Sequence, residues 1–230
     1  MTATLIHLQE TGSVFNDKDT GLMNIRSVTD SERQRFAEIV QDAASTGGYQ
    51  DPVGYIQSLS SKDIEVLRRV HSLAETRGVQ NTNVEGAVNL LLPPQNHTDL
   101  NNDGLVNTGA AVGFVFPPPN APQSVKDAWE ETIKDLPADE RLLASTPFMV
   151  ASVAANIKFD SDGTAIGIYE HTDPEYQNIF GTTEGEWEAL LTHLIEQSRA
   201  LDKVDPSQKE TTEFLEEFAA VFANTRGASV

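Results

Sequence analysis

Apolar residues recur every three or four positions along much of the chain, the spacing that gathers them on one face of a helix. Thr29 with Glu32 three residues later makes a capping box, and Phe36, Ile39, Val40 and Ala43 follow at helical spacing until Gly47 and Gly48 end the run. Asp51 before Pro52 is an N-cap with proline in the first turn, and opens a short helix through Tyr55, Ile56 and Leu59. Ser60 or Ser61 caps the next helix, whose Ile64, Leu67, His71 and Ala74 share a face and whose end is expected before Gly78. From Asn83 a stripe of Val84, Ala87, Val88, Leu91 and Leu92 runs to Pro93 and Pro94, which terminate it.

The second half repeats the pattern. Ser124 and Asp127 start a helix with Val125, Ala128, Trp129, Ile133 and Leu136 on one face, stopped by Pro137. Residues 139–155 read as two helical pieces around Pro147, with Thr146 placed to cap the second; the β-branched Val150 and Val153 leave a strand open there. Thr183 and Glu186 form another capping box ahead of Trp187, Leu190, Leu191, Leu194 and Ile195, and Asp205 with Pro206 opens a last helix carrying Phe214, Leu215, Phe218 and Phe222. Other segments break the helical period. Residues 157–169 place two short apolar runs around Asp160-Ser161-Asp162-Gly163 and predict a β-hairpin. Residues 1–27 predict an irregular arm or a short edge strand, and residues 110–116 are a compact apolar run before three prolines that favour extended backbone. The expected fold class is therefore mainly α: seven or eight short helices in one globular body with a small β-hairpin. Residues 1–116 form an N-terminal helical region, 117–123 a Pro-rich connection and 124–230 a C-terminal helical region, expected to pack as one compact unit.

Charge and composition narrow the classes of function. The 230 residues contain no cysteine, which removes thiol catalysis, thiolate metal sites and disulfides. A formal net charge of −19 repels phosphate backbones and anionic lipid, so nucleic acid and membranes are not expected partners, whereas another protein is. The first residues lack a basic stretch ahead of a sustained apolar one, and no apolar run approaches the length of a membrane span. A cytoplasmic location follows, with secretion without a cleaved signal peptide as the alternative.

One loop carries a spacing that implies chemistry. In Asp99-Leu100-Asn101-Asn102-Asp103-Gly104-Leu105-Val106-Asn107, oxygen-bearing side chains alternate around a glycine. The segment resembles the front of an EF-hand or dockerin calcium loop, over about a dozen residues. That resemblance implies Ca2+ as the ligand. It also implies that Asp99, Asn101 and Asp103 donate side-chain oxygens, Leu105 a backbone carbonyl and Asn107 a contact often made through water. Gly104 falls where such a loop turns sharply, and Val106 where an apolar residue packs behind it. The twelfth position, where the family places a bidentate carboxylate, is Ala110, so an affinity of about 10⁻⁴ to 10⁻³ M is expected unless a distant carboxylate completes the shell. Asp, Asn and Gly also make ordinary turns, and that reading of the loop stays open.

Other chemistry-bearing residues are scattered. Glu170, His171, Asp173 and Glu175 cluster after the hairpin, and His193 with Glu196 shares a helix face. His71 on an apolar stripe reads as a core histidine bonded to a carbonyl, and Trp129 and Trp187 as core residues. The nucleophile elbow, His-Glu-x-x-His, the Walker loop and the dinucleotide glycine motif are all missing from the sequence. The sequence thus favours a non-catalytic helical protein with a weak structural calcium loop and a role in macromolecular interaction. The alternatives are a hydrolase-like enzyme with a His/carboxylate site near residues 170–175, and a metal-free helical scaffold.

Overall fold

The computed structural model describes residues 14–227. The chain is mainly helical and divides into two compact units, one holding residues up to 101 with 105–113, the other 102–104 with 114 onward. Among the described residues no helix is long and apolar enough to cross a membrane.

The first unit contains helices α1 (Asp17–Ile25), α2 (Asp30–Thr46), α3 (Pro52–Ser58), α4 (Ser61–Val70), α5 (Arg77–Gln80) and α6 (Val84–Leu90). A single 3-10 turn (Pro94–Asn96) and a hairpin of β1 (Val106–Thr108) and β2 (Ala111–Gly113) follow. The capping residues act as their chemistry dictates: Thr29 and Glu32 make both bonds of the box, Asp51 accepts from the Gly54 N–H, and Ser60 accepts from that of Asp63. Phe36, Ile39, Val40 and Ala43 of α2 bury against Ile64, Leu67 and Val70 of α4, with Phe15 stacked on Phe36 at 5.3 Å.

Four expectations are corrected in this unit. Residues 17–25 are helical instead of irregular, opened by an Asn16–Asp19 capping box. The helix has few apolar residues, so it offers no stripe to read; residues 1–13 of the expected arm lie outside the described residues. The helix from Ser61 stops at Val70 instead of running toward Gly78, because Ser72 adopts φ 57° and turns the chain. Gly78 sits inside α5, where its carbonyl accepts the Ala110 N–H at 2.6 Å. A second hairpin exists, with Val106 opposite Gly113 and Thr108 opposite Ala111, in strands of three residues each, too short for a period-two signal. It lies tightly on α6, since a Cβ on Gly86 would come within 2.1 Å of the Gly109 carbonyl, itself in a turn of φ 62°.

The fourth correction matters most for function. Around α6 the buried face is wider than the expected stripe: Ala87, Leu91 and Leu92 are buried as expected, but Val84 is 58% exposed, while Glu85 at 6% and Asn89 and Leu90, both fully buried, join the face. Two polar side chains one turn apart therefore point inward with Leu90 and Leu92.

The second unit contains α7 (Gln123–Ile133), α8 (Ala138–Ala144), α9 (Thr146–Ala155), a hairpin of β3 (Ile157–Phe159) and β4 (Ala165–Ile168), α10 (Glu184–Asp202), a 3-10 turn (Pro206–Gln208) and α11 (Lys209–Gly227). α11 packs on α7 and α10 around Trp129, Phe148, Trp187, Leu191, Leu215, Phe218 and Phe222. Phe116 stacks on Phe148 at 4.1 Å and meets the edge of Trp129 at 4.6 Å, pairings favoured by the ring quadrupoles. Val150 and Val153 are helical, so the open choice there resolves to helix. At the start of α10, Glu186 accepts from the Thr183 hydroxyl at 2.7 Å and from the Thr183 and Thr182 N–H groups at 2.9 and 3.0 Å, and these donors, the hydroxyl first, hold its pKa below the ordinary range. Thr183→Ala is expected to cost about 1 kcal/mol, measured by urea denaturation, because the exposed cap loses its hydroxyl but the Glu186 bonds to backbone persist.

Candidate functional site

The two inward polar side chains of α6 form a clasp on the loop. Glu85 accepts the Asn107 N–H on Oε1 at 2.7 Å and the Leu100 N–H on Oε2 at 2.9 Å. Asn89 donates from Nδ2 to the carbonyls of Thr98 at 2.8 Å and Asn107 at 2.7 Å, and its Oδ1 accepts the Thr98 N–H at 2.8 Å. Asp99 thus lies between two clasped residues, and Asn107 is held by both side chains. The residues on either side of the loop's first position, and its ninth position, are fixed to one turn of one helix.

Asp99 and Asn107 are each 3% exposed. The Asn107 Oδ1 is buried with no hydrogen-bond partner. A buried amide oxygen carries two lone pairs and loses about 1 to 3 kcal/mol when desolvated without a donor, so this atom calls for a water or a cation. Both remaining inferred ligands of this unit, Asn101 and Leu105, lie on the same loop, Asn101 exposed and Leu105 half-buried. Asp103 belongs to the second unit, where His171 Nδ1 lies 3.2 Å from its Oδ2. Two left-handed residues, Asn102 (φ 57°) and Gly104 (φ 83°), make the turn between. The five residues are therefore not all gathered in one unit: Asn107 and the two neighbours of Asp99 are held by the clasp, and Asp103 is engaged by a histidine. Among the described residues no group of three or more His, Asp or Glu is placed to hold a metal ion. Cation binding at the clasp would rest on one carboxylate with amide and backbone oxygens, a hard but weakly charged donor set.

Beside the clasp two histidines are stacked, ring centres 5.2 Å apart. His71 Nε2 meets the Leu90 carbonyl at 3.1 Å, as a core histidine should, and His97 Nδ1 meets Thr108 Oγ1 at 3.2 Å. The other ring nitrogens, His71 Nδ1 and His97 Nε2, are buried without a partner. Burial, helped by the nearby Arg26 guanidinium, pushes the His97 pKa down to about 4. Burial and the neighbouring His97 push His71 well below the ordinary imidazole value. Both rings are neutral at physiological pH.

The other candidate residues do not converge. Asp173 pairs with Lys158 at 2.9 Å and accepts the Glu170 N–H at 2.9 Å, while His171 turns to Asp103 and Glu170 and Glu175 are exposed. His193 and Glu196 both stand exposed on α10. A hollow lined by Arg35, Glu38, Asp42, Tyr55 and Asp63 has its charges tied to each other, Arg35 to Asp63 at 2.7 Å and to Glu38 at 2.8 Å, and Tyr55 to Asp42 at 2.8 Å. The Glu85–Asn89 clasp escaped the sequence reading: Glu85 and Asn89 share a helix face with Leu92, but two polar residues at helical spacing do not by themselves mark a buried face.

Comparison with protein-family models, with curated proteins and with solved structures finds no match to this chain.

Proposed function

We propose that the loop at residues 99–107 holds a calcium-class cation that braces the fold, in a non-catalytic helical protein whose work is to bind another macromolecule. The observation that carries this reading is the buried, partnerless Oδ1 of Asn107, at the loop's ninth position and clasped to the helix turn that also fixes the residues flanking Asp99. A hard cation would supply what that oxygen lacks, and the buried Asp99 would supply the charge. Glu85 does not replace the missing twelfth ligand: both of its oxygens accept backbone N–H groups, and its part is to hold the loop in shape.

An ion bound at about 10⁻⁴ to 10⁻³ M raises the melting midpoint by roughly 5 °C in 10 mM calcium, because it binds the folded chain and not the unfolded one. Asn107→Ala and Asp99→Ala are expected to abolish that rise, and magnesium to give less of it. A midpoint that calcium leaves unchanged in the native protein removes the ion. A second reading, a hydrolase-like enzyme, draws on the His171–Asp103 pair at 3.2 Å, which has the form of a base and its orienting carboxylate. Ester or phosphoester hydrolysis abolished by His171→Ala would favour it.

A further inference from the structure

The hairpin of the second unit leaves a strand edge open. β4 pairs with β3 on one side, and among the described residues no strand pairs with its other side. Tyr169 donates its N–H to the Asn156 carbonyl at 2.7 Å, so by the alternation of an antiparallel ladder the N–H and C=O of Ile168 point away from β3. All four residues of β4 are exposed. The register sets Ile157 opposite Ile168 and Phe159 opposite Ala165, with an irregularity between Lys158 and Phe159. Phe159, Ile166 and Ile168 are 60%, 63% and 50% exposed. Proteins blunt a free edge with lysine, proline or a covering element, and the segment Ala-Ile-Gly-Ile has no charge and no proline. A two-stranded hairpin is marginal in water, and a third strand would complete its ladder.

Charge selects the occupant. Asp160 and Asp162 are exposed at the hairpin tip and Glu170 at its foot, while the nearby cation, Lys158, is paired with Asp173 at 2.9 Å. The net charge of −19 makes a second copy of this chain repel the first and draws a basic segment in. We propose that β4 is a docking edge for an extended segment of another protein, basic at its ends and apolar between them, which adds as a third strand through backbone hydrogen bonds. This deepens the macromolecule-binding part of the function above and rests on it, but draws nothing from the cation.

The probe is a blocked peptide Lys-Lys-Val-Thr-Val-Thr-Val-Lys-Lys added to the full chain, with amide exchange read by NMR. Binding is expected to slow exchange of the Ile168 amide at least ~10-fold and to weaken steeply with salt. Replacing the four lysines with glutamate is expected to weaken binding at least ~10-fold, and N-methylation of all five residues between them to abolish it, since neither edge of that stretch then has backbone donors. Equal binding of the N-methylated peptide overturns the inference in favour of plain charge attraction. Sedimentation as a dimer with Ile168 already protected overturns it in favour of a second copy. No binding by any peptide, alongside an intact calcium-dependent rise in melting midpoint, removes the docking edge and leaves the cation standing.

Discussion

Glu85→Ala is expected to lower stability by about 3 kcal/mol, measured by urea denaturation at neutral pH. The carboxylate is 6% exposed and accepts two backbone N–H groups of the loop, at 2.7 and 2.9 Å. Hydrogen bonds to a charged acceptor contribute about 1.5 to 3 kcal/mol each, and the buried Asn107 N–H is left without an acceptor by the change. Relief of the buried charge offsets part of this, which holds the sum near the lower end. Glu85→Gln separates charge from shape. It keeps the volume and one acceptor, but turns an amide NH2 toward an N–H donor, and so is expected to lose about 2 kcal/mol. A loss below about 0.5 kcal/mol in both variants would mean that the loop needs no clasp.

Acid is expected to destabilise the first unit before its carboxylates titrate. His97 titrates near pH 4 in the folded chain and near 6.5 when unfolded, so between these values the unfolded chain binds a proton that the folded chain does not. Stability is complete above about pH 6.5, falls as pH drops, and has lost about 3 kcal/mol by about pH 4, of which about 2 kcal/mol is gone at pH 5. His71 is also depressed and adds to the loss in the same direction. Its charged and titratable neighbours are His97 and Arg26, and the Arg26 charge opposes protonation of both rings. The depressed carboxylates Asp63 and Glu32 act lower, their contribution being lost only as pH falls below the ordinary carboxylate range. Urea melts of the native protein at pH 7.5 and 5 should differ by at least about 2 kcal/mol, and His97→Gln should remove the His97 share of that difference. A pH-independent midpoint across this window would show the imidazoles to be solvated.

What the sequence made legible follows from where its chemistry is local. The boxes at Thr29–Glu32 and Thr183–Glu186, the proline turn at Asp51–Pro52 and the turn at Asp160–Gly163 depend on neighbouring residues, and they located helices and one hairpin correctly. Periodicity failed where partners lie far along the chain. Nothing near Val84 says that Glu85 will be buried, because its partners Leu100 and Asn107 are 15 and 22 residues away. The hairpin at residues 106–113 depends on Gly86 and Gly109 allowing backbone to lie on backbone, which has no hydrophobic signature. The alternation of oxygen-bearing side chains in the loop was plain from sequence, but not that His171 would engage Asp103 from 68 residues away.

Whether a cation meets the Asn107 side-chain oxygen is open to direct observation. Crystals grown in millimolar calcium and measured at long wavelength should give an anomalous peak about 2.4 Å from the Asn107 side-chain oxygen, ringed by six to eight oxygens. A peak-free site with an ordinary water about 2.8 Å from that atom, or the amide rotated so that its nitrogen donates there, would contradict cation binding.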